Sequence, residues 1–409
     1  MLKLFIKRWI VLLLILISTL IIGMKTSMLF FHFFFWFLVS VAAINLAWIG
    51  LEYFTIRLNL SRRFTGKVEE DDTLEIETLI KNNSFFPAFN LVLEDDLSCS
   101  PGEKELLLVD YLGAGSALEL KYSCLCPLRG NYKIGPFTVY FFDPFGIFFL
   151  KKTYYIYTQL YVYPRTFEIK KFPVLTRGFL PWFGIQTTQV SGDEDEFFGI
   201  REYKEGDPIK KIHWISTARK RALIVKQFQR QSFFRATIIF NLEKEKNFGA
   251  GKERVAEYTI RIAASLAKYL IEKGISTEII AHAGEIVYIP FNKGPEYLED
   301  IFKFLATAQA ESRVSLGEIF EEFSLYIPGD SNLIVIIPDT DWEYLSAMLS
   351  LKKRNINIMP MVLVTSTFLN PFDKEKIKKD IRIKISPDAN LNPIFFAQGD
   401  NLEEFFQKY

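Results

Sequence analysis

The residues best suited to acid–base chemistry crowd into one stretch of this sequence. It runs Arg201-Glu202-Tyr203-Lys204-Glu205-Gly206-Asp207-Pro208, then Ile212-His213-Trp214, Ala218-Arg219 and Leu223-Ile224-Val225-Lys226. A histidine near carboxylates can act as a general base, with Glu202 or Asp207 orienting the ring and Arg201 binding charge. No nucleophile signature accompanies it: Gly-x-Ser-x-Gly, His-Glu-x-x-His and a phosphate-binding glycine-rich loop are all absent from the sequence. The same residues also suit a structural clasp. Gly206-Asp207-Pro208 imposes a turn sterically. Arg201 and Arg219 can hold carboxylates bidentately. Trp214 packs and offers one indole donor. The acidic run Asp193 to Glu196 just upstream reads as a solvated loop, with an acidic docking surface as the alternative.

Other chemistries are thinly supplied. The only histidines are His32, His213 and His282, and the cysteines are Cys99, Cys124 and Cys126, so no Cys/His set has zinc spacing. Three cysteines are too few for a disulfide framework and fit a reducing compartment. A formal net charge of +1 gives no overall attraction to nucleic acid. The basic run Lys374 to Lys384 is interleaved with Asp373, Glu375 and Asp380, as on a solvated face.

The elements that must position the cluster fall into distinct regions. Residues 1–54 carry two apolar runs, Trp9 to Met24 and Met28 to Leu51. Spanning a bilayer takes about 20 residues, so the second run suffices outright and the first needs local thinning or snorkelling by Lys7 and Arg8. The expected arrangement is a two-helix transmembrane hairpin. Lys3, Lys7 and Arg8 precede it, Lys25 alone lies between the spans, and Arg57, Arg62, Arg63 and Lys67 follow. That asymmetry puts both ends and the soluble part in the cytoplasm, at the inner membrane. His32, an ionisable group at the start of the second run, reads as a marker of the membrane boundary.

Residues 55–165 alternate apolar and polar with period two, as in Leu74-Glu75-Ile76-Glu77-Thr78, between turn clusters such as Asn82-Asn83-Ser84 and Asp143-Pro144-Phe145-Gly146. This predicts an antiparallel β-sandwich. Residues 166–231 connect it to the rest and hold the charged cluster. Residues 232–409 alternate strand and helix: strands at 235–242, 276–281, 286–291, 332–338 and 356–364, helices at 253–273, 294–308, 315–325 and 341–353. That order predicts a doubly wound α/β sheet, whose ligands bind at the carboxyl ends of the strands, after Phe240 and Ile337.

The central cluster resembles the signature of the bacterial membrane proteins known as domain of unknown function 58. Arg-Glu-Tyr, Gly-Asp-Pro, Ile-His-Trp, Ala-Arg and Leu-x-Val-Lys stand in family order between Arg201 and Lys226. Arg129-Gly130-x-Tyr132-x-x-Gly135-Pro136, Asp143-Pro144-Phe145-Gly146 and the paired N-terminal span also resemble that family. The resemblance implies a sandwich followed by a von Willebrand factor A-like domain, and association with MoxR-type AAA+ ATPases. It implies no known reaction. Metal-holding von Willebrand A domains use Asp-x-Ser-x-Ser, a later Thr and an Asp. The matching places here are Asn241-x-Glu243-x-Glu245, Ser315 and Asp339. Mg²⁺ favours carboxylate oxygens, so this degenerate set leaves protein contact as the expected use and a Mg²⁺ site as the alternative. The functional expectation is a non-enzymatic membrane-bound adaptor without cofactor. A hydrolase or metal-dependent enzyme using His213 and nearby carboxylates is the alternative.

Overall fold

The computed structural model describes the chain apart from residues 1, 27, 101, 103, 171, 173–190, 205–206, 208, 230–234, 329–330, 342–350, 352–355, 370–376, 379–380, 382–392 and 409. Two compact units result, Met1–Arg165 and Thr166–Tyr409.

In the first unit the apolar runs form α1 (Leu2–Thr26) and α2 (Leu29–Thr55). α2 is long and apolar enough to cross a membrane, and the apolar stretch of α1, Ile10–Thr26, is shorter. Phe30, Phe33, Trp36, Phe37 and Ile44 of α2 are exposed. The end of α2 turns inward instead. Ile49 is buried in a core shared with the strands, and the carboxylate of Glu52 accepts a hydrogen bond from the backbone N–H of Phe89 at 2.8 Å. The apolar helix is therefore fastened directly to the β-structure.

Ten strands follow: β1 (Leu58–Thr65), β2 (Val68–Glu69), β3 (Thr73–Asn82), β4 (Ala88–Asp96), β5 (Lys104–Leu112), β6 (Ala117–Leu125), β7 (Gly130–Ile134), β8 (Phe137–Phe142), β9 (Phe149–Tyr154) and β10 (Thr158–Tyr163). They form sheets ordered β1-β3-β6, β5-β4-β8-β9 and β2-β10-β7. The period-two pattern of β3 buries Leu74, Ile76, Thr78 and Ile80 on one face. Ile80 shares a core with Leu91 and Leu93 of β4 and Phe141 of β8, so the first two sheets present apolar faces to common ground. Thr78 is the polar exception on that face. Its hydroxyl lies 3.2 Å from the Tyr122 hydroxyl, which bonds Asp95, itself paired with Arg62. Burying a hydroxyl requires such a partner.

The second unit begins with β11 (Ser191–Glu202), α3 (Trp214–Lys220) and β12 (Ile224–Gln229), β11 and β12 pairing antiparallel. β13 (Arg235–Asn241), the short β14 (Gly249–Ala250) and β15 (Glu253–Arg254), and α4 (Val255–Glu272) come next. Then follow β16 (Ser276–His282), β17 (Ile286–Asn292), α5 (Pro295–Thr307), α6 (Leu316–Phe323), β18 (Asn332–Pro338), β19 (Asn357–Leu363), α7 (Thr365–Leu369), β20 (Ile394–Phe396) and α8 (Leu402–Lys408). One sheet of order β17-β16-β13-β18-β19-β20 runs through the unit, parallel except for β17. Successive residues of β13 face opposite ways. Ile238 and Phe240 join the core of α4, and Ile239 joins that of α6 with Leu316, Ile319 and Phe320. Helices thus cover both faces, which is why these strands read as continuous apolar runs.

α4 stops where glycine permits a reversal. Gly274 has φ +74, and the N–H of Ile275 reaches back to the carbonyl of Leu270 at 2.9 Å. The helix expected at 341–353 and most of the basic run 374–384 lie outside the described residues. Because the strands are parallel, their carboxyl ends gather the loops after Asn241, His282, Pro338 and Leu363 along one side of the sheet.

Candidate functional site

The charged cluster is a clasped β-ribbon carrying a helix of about two turns. Arg201 pairs across to Val225 and Glu202 to Ile224. The guanidinium of Arg201 donates from both terminal nitrogens to the two carboxylate oxygens of Asp207, each at 2.6 Å. The same guanidinium reaches the Glu202 carbonyl at 3.0 Å, and the N–H of Lys204 donates to Asp207 at 2.9 Å. Arg201 first, and then the Lys204 N–H, hold the Asp207 carboxyl below the usual carboxylate range, at about 2. The chain between them is closed by Tyr203 N–H to the Leu223 carbonyl and by His213 N–H to the Ile224 carbonyl, both 2.8 Å.

His213 is the N-cap of α3. Its Nδ1 accepts from the Ser216 N–H at 3.3 Å and lies 2.7 Å from the Ser216 hydroxyl. An acceptor Nδ1 leaves the proton of a neutral ring on Nε2. The Thr217 hydroxyl takes up the Ile224 N–H at 3.0 Å, tying α3 to β12. Arg219 sits exposed in the last turn of α3, where a cation complements the helix terminus. Ala218 and Glu202 are exposed, Tyr203 and Lys226 half-buried, and Gly206 and Pro208 lie outside the described residues. Two large apolar side chains of α3 point away from the protein: Trp214 is 64% exposed and Ile215 65%, with Ile209 and Leu223 exposed nearby.

A second constellation lies at the carboxyl end of the sheet. A cleft there is lined by Asn241, Glu243, Lys246, Thr259, Pro338 and Asp341 among others. The ammonium of Lys246 sits 2.7 Å from a Glu243 carboxylate oxygen and 2.5 Å from one of Asp341. Burial works against that ammonium, and Asp341 and Glu243 outweigh burial, so its pKa rises. Burial raises the carboxyl of Asp341 and Lys246 opposes the rise. Of the residues matched to a metal set, only Asn241 and Glu243 line this cleft. Glu245 is exposed. Ser315 caps α6 in a reciprocal box with Glu318. Asp339 accepts from the N–H of Thr365 at 3.0 Å and from its hydroxyl at 2.5 Å. With an ammonium between the carboxylates and two other members committed elsewhere, these residues as arranged do not fit a divalent ion. Sequence reasoning missed Lys246 and Asp341. The available signals were a lysine three residues after Glu243 and a second aspartate two after Asp339.

Two further groups come together unannounced by spacing. The buried thiols of Cys99, Cys124 and Cys126, none of them in a disulfide, have sulfurs within 4.8 Å of one another. The Cys124 contact and burial push the Cys126 thiol up to about 12, leaving it protonated and inert. At the end of β16, His282 is buried with its Nδ1 unpartnered, and burial lowers its pKa against the pull of Glu318.

Among solved structures the chain is similar to the CARDB domain of the PF1109 protein from Pyrococcus furiosus, in complex with di-metal ions. Identity is 14%, coverage 26% of this chain and 89% of that one, and the TM-score 0.20. It is also similar to the putative ApaA protein from Bordetella pertussis, at 12% identity, 26% and 93% coverage and a TM-score of 0.20. Likenesses this small say nothing of what the chain does. No curated protein matches it. A family model does, over residues 199–328, from the end of β11 through the clasp, the first strand of the large sheet and α6. That segment matches the model of the family described as Protein of unknown function DUF58.

Proposed function

We propose that this chain is a membrane-anchored adaptor that presents α3 and its ribbon to a cytoplasmic protein partner. The observation that carries the reading is the pairing of Trp214 and Ile215, both about two-thirds exposed, with a frame in which Arg201, Asp207, His213 and Thr217 are engaged in shaping the ribbon. Exposed aromatic and aliphatic residues on a rigid, polar-rimmed element suit a binding hot spot. A hydrolase using His213 as base would need an unprotonated ring nitrogen facing the reacting proton, whereas Nδ1 is taken up by the Ser216 N–H, which leaves the proton of a neutral ring on Nε2.

Four finer readings accompany the proposal. α1 and α2 both span, as a hairpin in the inner membrane, supported by the Lys/Arg asymmetry around them. The strands of residues 55–165 form a β-sandwich, supported by the shared core of β3, β4 and β8. The six-stranded sheet belongs to a von Willebrand factor A-like domain, supported by its parallel order and helix-covered faces. The partner is a MoxR-type AAA+ ATPase, supported by the family resemblance.

Affinity capture of the full chain from membranes tests the adaptor reading. The unaltered protein is expected to enrich an AAA+ ATPase, and Trp214→Ala with Ile215→Ser to lose it at unchanged membrane abundance. Equal capture by both would remove α3 from the interface.

A further inference from the structure

The structure assigns Lys246 as the resident cation of the cleft at the carboxyl end of the six-stranded sheet, an intramolecular substitute for a divalent ion among oxygen donors. The assignment stands apart from the role of α3 and rests on four observations.

First, the ammonium is placed as a bound ion would be. It touches carboxylates from two separate loops, Glu243 after β13 and Asp341 after β18, at 2.7 and 2.5 Å. Second, the carboxylates are secluded, the side chain of Asp341 being 3% exposed. Two carboxylates so placed repel each other and lose hydration, and they need a positive charge between them. Third, an additional donor faces the same cleft. Asn241 is nine-tenths buried and lines it, its amide nitrogen is committed to the Val314 carbonyl at 2.7 Å, and its carbonyl oxygen has no partner. A buried amide oxygen beside two carboxylates is the donor set of a hard cation. Fourth, the lysine arrives on a pinned loop. Lys244 N–H bonds the Ser312 carbonyl at 3.0 Å, Phe248 N–H bonds the Lys246 carbonyl at 3.0 Å, and the Asn247 side chain accepts from Ala256 N–H at 3.0 Å. The ammonium is thereby directed back into the cleft rather than left to solvent.

A built-in cation makes the site independent of divalent-ion concentration. The cleft is a closed structural centre rather than a metal-bridged docking point.

Lys246→Met tests this in the full chain in detergent, with Mn²⁺ as the probe. The unaltered protein should melt at the same temperature with and without millimolar Mn²⁺ and give no protein-bound manganese signal by electron paramagnetic resonance. The variant should melt lower in chelator, recover on adding Mn²⁺, and bind one ion at least about tenfold more tightly than the unaltered chain. Lys246→Met with Asp341→Asn should lose that binding and melt higher in chelator than the single variant. Manganese bound by the unaltered chain and abolished by Asp341→Asn would overturn the assignment. So would a single variant that shows no response to Mn²⁺, or one that cannot be recovered even when expressed and purified in its presence.

Discussion

Arg62–Asp95 in the first unit and Arg201–Asp207 in the second join the same two groups, and each guanidinium meets both carboxylate oxygens. Their surroundings differ. Both side chains of the first pair are wholly buried. Arg62 also lies 4.2 Å from the centre of the Phe137 ring and donates to the Ile134 carbonyl at 3.0 Å. In the second pair 34% of the arginine and 17% of the aspartate side chain remain exposed. Removing one partner of a buried pair strands a charge in a medium that cannot solvate it, whereas water replaces most of what an exposed pair loses. The first pair is thus a matter of folding. The second, which lies within the segment matched by the family model, sets the shape of a surface.

The sharpest way to break this contrast is Arg62→Ala. Asp95 would be left buried without its cation, and the expected loss is about 3–5 kcal/mol in the stability of the first unit. Chemical denaturation of the full chain, followed by Tyr and Trp fluorescence, checks it. Arg62→Met with Asp95→Leu removes both charges. It should lose less than the single variant, about 1–3 kcal/mol, because the Tyr122 hydroxyl and the Ile134 carbonyl still lose partners. A double variant as unstable as the single one would mean that packing, not an orphaned charge, sets the loss.

A smaller effect comes from His282. Its folded pKa is depressed by burial, so folding favours the neutral ring. Stability is fully present above the unfolded value of about 6.5 and falls as pH drops below it. Melting curves between pH 8 and pH 5 should show the second unit weakening across that window, and His282→Gln should flatten the fall. An unchanged profile in the variant would assign the pH dependence to another group.

Legibility followed physical range. Strands buried on both faces, such as Arg235–Asn241 and Asn332–Pro338, are continuous apolar runs, and α4 carries a helical stripe ending at glycine, so each is readable from its own residues. The ribbon Ser191–Glu202 with Ile224–Gln229 was not readable, because its first strand carries Asp193 to Glu196, a charge run that mimics a loop. The site divided in the same way. Arg201 and Asp207 lie six residues apart, and a clasp could be read from residue types and a turn. Lys246 meets Asp341 across 95 residues, and only the parallel order of β13 and β18 brings them together. The three cysteines converge for a similar reason: Cys124 lies near the end of β6 and Cys126 just past it, while Cys99 arrives from the turn after β4.

The smallest effect on stability is expected where the effect on function is largest. Arg201→Ala releases Asp207, whose carboxyl is held at about 2 chiefly by that guanidinium. A depressed carboxyl contributes stability above its ordinary value near 3.9, and loses it as pH falls through about 2. Near neutral pH the contribution is fully present, yet water can reach both groups once the pair is broken, so little of it is forfeited. The melting temperature should therefore move far less than in Arg62→Ala. What changes is the placement of Tyr203, Lys204 and His213, which the clasp, the Tyr203–Leu223 bond and the His213–Ile224 bond together fix. Loosening one of the three should blur the placement of Trp214 and Ile215. Asp207→Asn keeps the shape of the side chain and one acceptor oxygen, so it should sit between the unaltered protein and Arg201→Ala. The measurement is partner capture from membranes beside melting temperature and abundance for each variant. Capture that declines in the order unaltered, Asp207→Asn, Arg201→Ala, with melting nearly constant, fits a surface-shaping clasp. Capture that falls only in step with melting would place this pair in the same class as Arg62–Asp95 and remove the contrast.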